Sequence, residues 1–141
     1  MRARTHLKGF LAEQRGAAAL EFAIVGPMFV VMLLGLCGYG GYFWMSHAVQ
    51  QVTNDAARAA MAGLDNTERT ALATAALNAE IGDYVWLERN KATLTVTNAS
   101  DRVTVAISYN AADTPFWSMK GLVPMPSSTI SRSATVRLGG Y

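Results

Sequence analysis

The sequence predicts an α+β fold in which one long N-terminal helix and a second, short helix precede a small three-stranded antiparallel sheet. A run without charged residues, residues 22–45, is long enough for a helix that crosses a membrane. Apolar residues keep helical spacing after this run, and beyond Gly82 their period changes to two. Because the long helix and the sheet each have one apolar face, we expect the exposed half of the helix to pack on the sheet.

The first 45 residues divide into a basic leader and the uncharged run. Four cations against one carboxylate make the first 16 residues positive, which predicts a cytoplasmic N-terminus with the rest of the chain outside. As a helix rising about 1.5 Å per residue, the run would reach roughly 36 Å, beyond the roughly 30 Å of a hydrocarbon core. We therefore predict a leader at 1–16, a transmembrane helix segment at 17–45, and an exterior α+β head at 46–141 that includes the second half of the long helix.

Two helices are predicted from spacing and capping signals. Past the uncharged run, apolar or small residues recur at intervals of three and four, at Val49, Val52, Ala56, Ala59 and Gly63. This pattern predicts one helix from about residue 18 to 63. Asp65, with Glu68 three positions later, resembles a capping box at the start of the second helix, and Gly82 is its expected end.

The remaining sequence has the alternation of half-buried strands. The apolar positions of the first two strands are Leu94, Val96, Val103, Val105, Ile107 and Tyr109. Residues 98–101, NASD, are typical of a turn and predict a hairpin. A third strand is predicted from Ile130, Ala134, Val136 and Leu138.

Composition argues against several functional classes. Cys37 is the single cysteine and lies in the uncharged run, so no intramolecular disulfide forms, and we expect a small buried apolar residue there. His6 and His47 fall on opposite sides of the predicted membrane, and no nucleophile elbow, phosphate-binding loop or zinc spacing is present. Basic residues are not clustered on the predicted head, as nucleic-acid binding would need. We expect no enzyme activity, no cofactor and no nucleic-acid partner.

Small residues precede the apolar run. In a secretory signal peptide, the small-residue cleavage site follows the apolar core. Here Gly16 to Ala19 come first, so a cut after Gly16 would remove the basic leader and leave the membrane helix on the mature chain. Ala17 would become the N-terminus, and Glu21 would be its fifth residue.

This arrangement resembles the type IV pilin superfamily and, more closely, the TadE-like proteins of the tight-adherence (Flp) pilus system. The resemblance covers about residues 13 to 63 and is carried by an Arg-Gly pair, small residues, Glu-Phe and a proline: Arg15, Gly16, Ala17, Ala18, Ala19, Leu20, Glu21, Phe22, Ala23, Ile24, Val25, Gly26 and Pro27. Major Flp pilins often have Tyr where this chain has Phe22, and they are far shorter. The resemblance therefore implies a minor pilin or pseudopilin with a type IV pilin-like fold.

The resemblance also implies a site and partners. A prepilin peptidase would cut between Gly16 and Ala17, and Glu21 and Phe22 would serve assembly. The N-terminal helix would contact other pilin subunits and the pilus assembly machinery, in the bacterial inner membrane with the head periplasmic. The alternative is an uncleaved single-pass inner-membrane protein whose periplasmic domain binds a partner in a secretion or pilus machine.

Glu21 has a physical role in this scheme. A charged carboxylate inside a bilayer is penalised by about 2.5–3.5 kcal/mol on insertion scales, and by less near the interface, unless it finds a partner. Cleavage would create one, because the new α-amino group is positively charged in much of the population near neutral pH. Pairing with the terminus of a neighbouring subunit would favour assembly in register.

Two further features of the uncharged run have alternative interpretations. Pro27 removes an intrahelical hydrogen bond, which predicts a kink or local melting; membrane helices also tolerate proline without any function. Gly35, Gly38 and Gly41 would allow close helix approach, although glycine is common in membrane helices.

Overall fold

The computed structural model describes residues 14–139, with side chains from residue 16. Its elements are helices α1 (Gln14–Ala60) and α2 (Asn66–Glu80) and strands β1 (Ala92–Asn98), β2 (Arg102–Asn110) and β3 (Thr129–Arg137). The predicted α+β class and the element order are confirmed. Most of the predicted leader lies outside the described residues.

Helix α1 begins and ends slightly earlier than its spacing predicted. Val49, Val52 and Ala56 are buried as expected, but the next buried residue on this face is Ala60, and Ala59 is half-buried. Ala60 follows Ala56 by four residues and so lies on the same buried face, because residues i and i+4 share one face of a helix. This face contacts α2, β2 and β3.

The turn between the helices contains the predicted capping box. The Asp65 carboxylate accepts a hydrogen bond from the Glu68 N–H at 2.8 Å, and the Glu68 carboxylate accepts one from the Leu64 N–H at 2.8 Å. A Cβ on Gly63 would lie 2.7 Å from the backbone nitrogen of Arg69, so only glycine fits this close approach. Helix α2 ends at Glu80, and Gly82 lies in the following 3-10 turn, Ile81–Asp83.

The three strands form an antiparallel sheet in the order β1-β2-β3. The predicted hairpin joins β1 to β2, and the Ala99 N–H donates to the Arg102 carbonyl at 2.8 Å across its turn. Along β2 the predicted apolar positions are all buried: Val103, Val105, Ile107 and Tyr109. On β3, the side chains of Ile130, Arg132 and Ala134 lie on the face of the sheet toward the core. Arg132 is half-buried there.

The head has two adjacent groups of core residues. The group nearer the uncharged run contains large side chains, among them Met45, Val52, Leu77, Ile107, Tyr109, Trp117 and Ile130. The second group, nearer the end of α1, consists of small ones: Ala56, Ala57, Ala60, Ala73, Val103 and Val105. Alanines on both α1 and α2 let the two helices approach closely, because little side-chain volume separates their backbones.

Three of the glycines in the uncharged run contact a loop of the same chain, residues 114–126. A Cβ on Gly35 would lie 3.6 Å from Cγ1 of Val123, one on Gly38 would lie 2.9 Å from Sδ of Met125, and one on Gly41 would overlap the Phe116 ring. Gly38 and Gly41 are buried by these contacts. This corrects the expectation that the glycines admit a neighbouring helix, since their own chain already occupies them.

Two more contacts hold the 114–126 loop against α1. The Tyr39 hydroxyl donates to the Pro124 carbonyl at 2.8 Å. Trp117 is buried, donates its indole N–H to the Pro126 carbonyl at 3.2 Å, and meets the Tyr42 ring edge to face at 5.9 Å. Cys37 is exposed on α1 and not buried as expected, because the loop covers the neighbouring glycine face.

We predict that Gly41→Ala destabilises the head. Its methyl group would overlap the Phe116 ring, and overpacking a filled contact costs about 1–3 kcal/mol of unfolding free energy. Gly40→Ala is the matched control, because a Cβ there meets nothing within 4 Å. Replacing glycine by alanine in a helix is otherwise favourable by about 1 kcal/mol. Denaturant unfolding in detergent compares the two variants, and equal stabilities would contradict the contact.

Candidate functional site

Helix α1 exposes apolar side chains along its N-terminal part. It is the one helix within residues 14–139 that is long and apolar enough to cross a membrane, and none of its most apolar window is buried inside the molecule. Its exposed large side chains are Leu20, Phe22, Ile24, Val25, Met28, Phe29, Val30, Val31, Met32 and Leu33. An exposed apolar surface of this length supports membrane anchoring.

Glu21 is an exposed carboxylate two turns into α1. The residues three and four positions before and after it, which share its helix face, are alanine, isoleucine or valine. Among the side chains that the structure describes, no Lys or Arg forms an ion pair with Glu21. No cationic side chain of the described residues thus offsets the charge of Glu21.

Phe22 lies next to Glu21 and projects from the helix. Its side chain is 76% exposed, and its ring stands 3.7 Å from where a Cβ on Gly26 would be. This is an ordinary van der Waals distance, so Gly26 does not restrict the Phe22 ring. Glu21 and Phe22 together form one exposed patch of α1 that combines a carboxylate with an aromatic ring.

Gly16 and Ala17 lie in the first turn of α1, whereas the sequence predicted a helix that starts after them. Both residues are exposed, and a Cβ on Gly16 would meet nothing within 4 Å. The fold therefore does not require glycine at this position. A protease that acts between these residues would have to unwind the first turn, where helix ends fray.

Helix α1 continues through Pro27 without interruption. The local melting that was predicted as one possibility is absent from this part of the helix, and the kink stays a prediction. Pro27 lies between Glu21 and the first glycine that contacts the head, so any bend there would change the direction of the Glu21 patch relative to the head.

The carboxylates of the head have structural contacts. Asp65 and Glu68 cap α2, and Asp55 accepts hydrogen bonds from Gln51 and Arg58. Burial raises the pKa of Glu80, as do the nearby charge of Asp55, a hydrogen bond between these two carboxyl groups, and the charge of Asp83. Within residues 14–139, no group of three or more His, Cys, Asp or Glu side chains is arranged to hold a metal ion.

Comparison with known families finds a match, and it lies within the helix that carries Glu21 and Phe22. Residues 16–58 match the family model of TadE-like proteins. The matched TadE-like segment begins at Gly16 and ends two residues before α1 does, so the match lies within α1 and covers less than a third of the chain. No curated protein and no solved structure matches the chain.

The TadE-like match confirms the resemblance found in the sequence and is consistent with a protein of the tight-adherence (Tad) pilus system. The segment contains all the predicted site residues: Gly16, Ala17, Glu21, Phe22 and Pro27. The structure places them along the exposed N-terminal part of one helix, on its surface.

Sequence reasoning missed one exposed group of apolar residues on the head. Val85, Trp86 and Leu122 are all exposed, although they lie in loops that fold back toward the uncharged run. They have no helical or strand spacing that would single them out. The only available signal was large apolar residues within otherwise polar or turn-forming segments.

We predict that Glu80→Gln stabilises the head at neutral pH. The raised pKa means that the folded chain holds this proton more tightly than the unfolded chain, so stability is lost as the pH rises through the raised value. The glutamine amide is uncharged at every pH. Below the ordinary pKa of a glutamate, Glu80 is uncharged too, so the stability advantage of the variant should vanish there. Thermal unfolding across this pH range measures it.

Glu88→Gln is the matched control for that measurement. Glu88 accepts a hydrogen bond from the Lys91 ammonium at 2.9 Å, so removing its charge should bring no gain at neutral pH. An equal gain in both variants would indicate a general effect of net charge and would contradict the specific repulsion between Glu80 and Asp55.

Proposed function

We propose that this chain is a minor pilin or pseudopilin of the tight-adherence pilus system. A prepilin peptidase would cut it between Gly16 and Ala17, and the mature α1 would then join or prime a filament. The observation that carries the proposal is the position of Glu21: a carboxylate without a described partner, on an exposed apolar helix that matches TadE-like proteins.

The chemistry of assembly follows from this position. An ionised carboxylate at the edge of a membrane loses hydration, and a nearby positive charge offsets that loss. The α-amino group exposed by cleavage supplies such a charge four residues before Glu21. A subunit that docks beside another can pair its carboxylate with the neighbour's terminus while the apolar faces around Phe22 pack together.

The proposal also assigns location and partners. The chain would lie in the bacterial inner membrane with its N-terminus in the cytoplasm and its head in the periplasm, and from there it would enter the pilus. Its partners would be the peptidase, other pilin subunits and the assembly machinery. The role is structural, without catalysis. In the alternative, the leader is retained and the head alone binds a partner of the machine.

We predict that the mature protein begins at Ala17. Intact-mass measurement of the membrane-purified chain should show the loss of residues 1–16. Gly16→Leu should abolish this loss, because a bulky side chain would hinder the close fit of a peptidase to the backbone. Since a Cβ at Gly16 meets nothing within 4 Å, the variant should fold normally.

Gly16→Ala is the graded control for cleavage, and it should be processed in part. Retention of Met1 in the wild-type protein, or a cut beyond residue 45, would exclude processing at this site and favour the uncleaved anchor. Unchanged processing of Gly16→Leu would show that the glycine is not recognised.

We predict that Glu21→Gln and Glu21→Leu impair assembly and leave insertion and cleavage intact. Glutamine keeps the size but removes the charge that would pair with an amino terminus. Leucine also removes the polar group from the membrane edge, so it should insert at least as well. Co-purification with pilus components, at matched membrane levels and with the N-terminus sequenced, measures the effect.

Asp113→Asn is the matched control for charge removal. Asp113 is an exposed carboxylate on the head that approaches the Lys91 ammonium only at 3.6 Å. This variant should assemble like the wild type. If the Glu21 variants also associate at the wild-type level, the pairing role is wrong even where cleavage after Gly16 is found.

A further inference from the structure

The part of α1 that is free to contact lipid is shorter than the uncharged run. Residues 22–45 carry no charge, but Gly38 and Gly41 are buried under the 114–126 loop, and Gly35 contacts Val123. The loop thus covers one face of the outer end of the run. A helix from residue 17 to residue 36 contains 20 residues and would extend about 30 Å, the thickness of a hydrocarbon core.

This length places the loop at the outer edge of the bilayer. If the span begins at Ala17, its outer end falls beside Gly35, where the loop first touches α1. If Glu21 marks the inner edge instead, the outer edge falls near Gly41, and the loop dips into the lipid. Gly35 and Gly41 differ in height by about 9 Å, within the depth that interfacial apolar segments reach.

Exposed apolar residues of the head lie beside this stretch of α1, between the levels of Gly35 and Gly41. Leu122 is 67% exposed and is the neighbour of Val123 in the loop. Trp86 is 50% exposed, and its ring meets the Phe116 ring edge to face at 6.2 Å, while Phe116 itself covers Gly41. Three exposed residues and the half-buried Phe116 form the base of the head: Val85, Trp86, Leu122 and Phe116.

The base is held in position from the core. Trp86 has a φ of 73°, a left-handed conformation that is unfavourable for a bulky residue. The buried Tyr109 hydroxyl donates to the Trp86 carbonyl at 2.9 Å and accepts from the Glu88 N–H at 3.1 Å. These two hydrogen bonds fix the turn that presents Val85 and Trp86 outward, so their exposure is a fixed feature of the fold.

We propose that the base of the head is a membrane-contact surface that rests in the outer interface of the bilayer crossed by α1. Trp86 suits this region, since tryptophan is enriched where an apolar ring meets both lipid and water. Lys120, exposed in the same loop, can extend its ammonium group to lipid phosphates. The surface would fix how deeply α1 sits. It rests on membrane anchoring alone and is independent of the pilin proposal.

The test compares two exposed leucines at opposite ends of the head. Leu64, 88% exposed, follows the end of α1, and Ala60 lies roughly 29 Å along the helix from Gly41. In a Cys37→Ala background, Leu122→Cys and Leu64→Cys are labelled with an environment-sensitive fluorophore. The full-length chain is reconstituted in vesicles of phosphatidylethanolamine and phosphatidylglycerol, and quenching by spin-labelled lipid is compared with quenching by aqueous iodide.

We expect several-fold stronger lipid quenching at position 122 than at position 64, and the reverse order with iodide. Equal lipid quenching at both positions would overturn the proposal. Iodide protection at position 122 that disappears when the protein is diluted with lipid would also overturn it, because the base would then contact a second copy of the chain.

A second measurement guards against misfolding of the labelled variant. Lipid quenching of the intrinsic tryptophan fluorescence is compared between the wild type and Trp86→Phe, which retains an aromatic ring against Phe116. The quenched fraction should fall when Trp86 is removed, and an unchanged fraction would count against the surface. Neither assay contains pilus components, so a negative result leaves the proposed role of Glu21 untouched.

Discussion

The apolar face of α1 between Met45 and Ala60 is the surface on which α2 and the sheet are packed. Both groups of core residues include side chains from this face, with large ones near Met45 and alanines near Ala60. The same helix continues without interruption into the exposed apolar part. The head is thus joined to the candidate membrane segment by continuous helix, and no loop separates the two.

Much of the fold could be predicted because its signals are local. The capping box at Asp65 and Glu68, the hairpin turn and the alternation along β2 each depend on residues close in sequence, and each is present. The contact of the 114–126 loop with the glycines of α1 was not predictable in this way. Tyr39 and Pro124 are 85 residues apart, and no period of either segment indicates that they meet. Arg132 similarly breaks the apolar alternation of β3 without disturbing the strand.

The candidate functional residues also differ in whether a local sequence signal indicates them. Gly16, Glu21 and Phe22 could be proposed from sequence because the motif that contains them is a linear segment, and the structure adds that the fold leaves all three exposed. The base of the head could not be found, because Trp86 is exposed only through a left-handed turn that Tyr109 holds from another element. A residue whose role depends on distant hydrogen bonds has no local signature.

The parts of α1 that form the core of the head and that carry the proposed assembly patch are different. Residues 16–34 contribute no buried side chain to the head, whereas residues 45–60 form its core, so selection can change one part without destabilising the other. The two parts meet at Gly38 and Gly41, where the head covers the helix. A side chain added there would displace the loop that carries Leu122 and, through Phe116, the ring of Trp86. If the base of the head rests on the bilayer as proposed, these glycines link the packing of the head to the depth of the helix in the membrane.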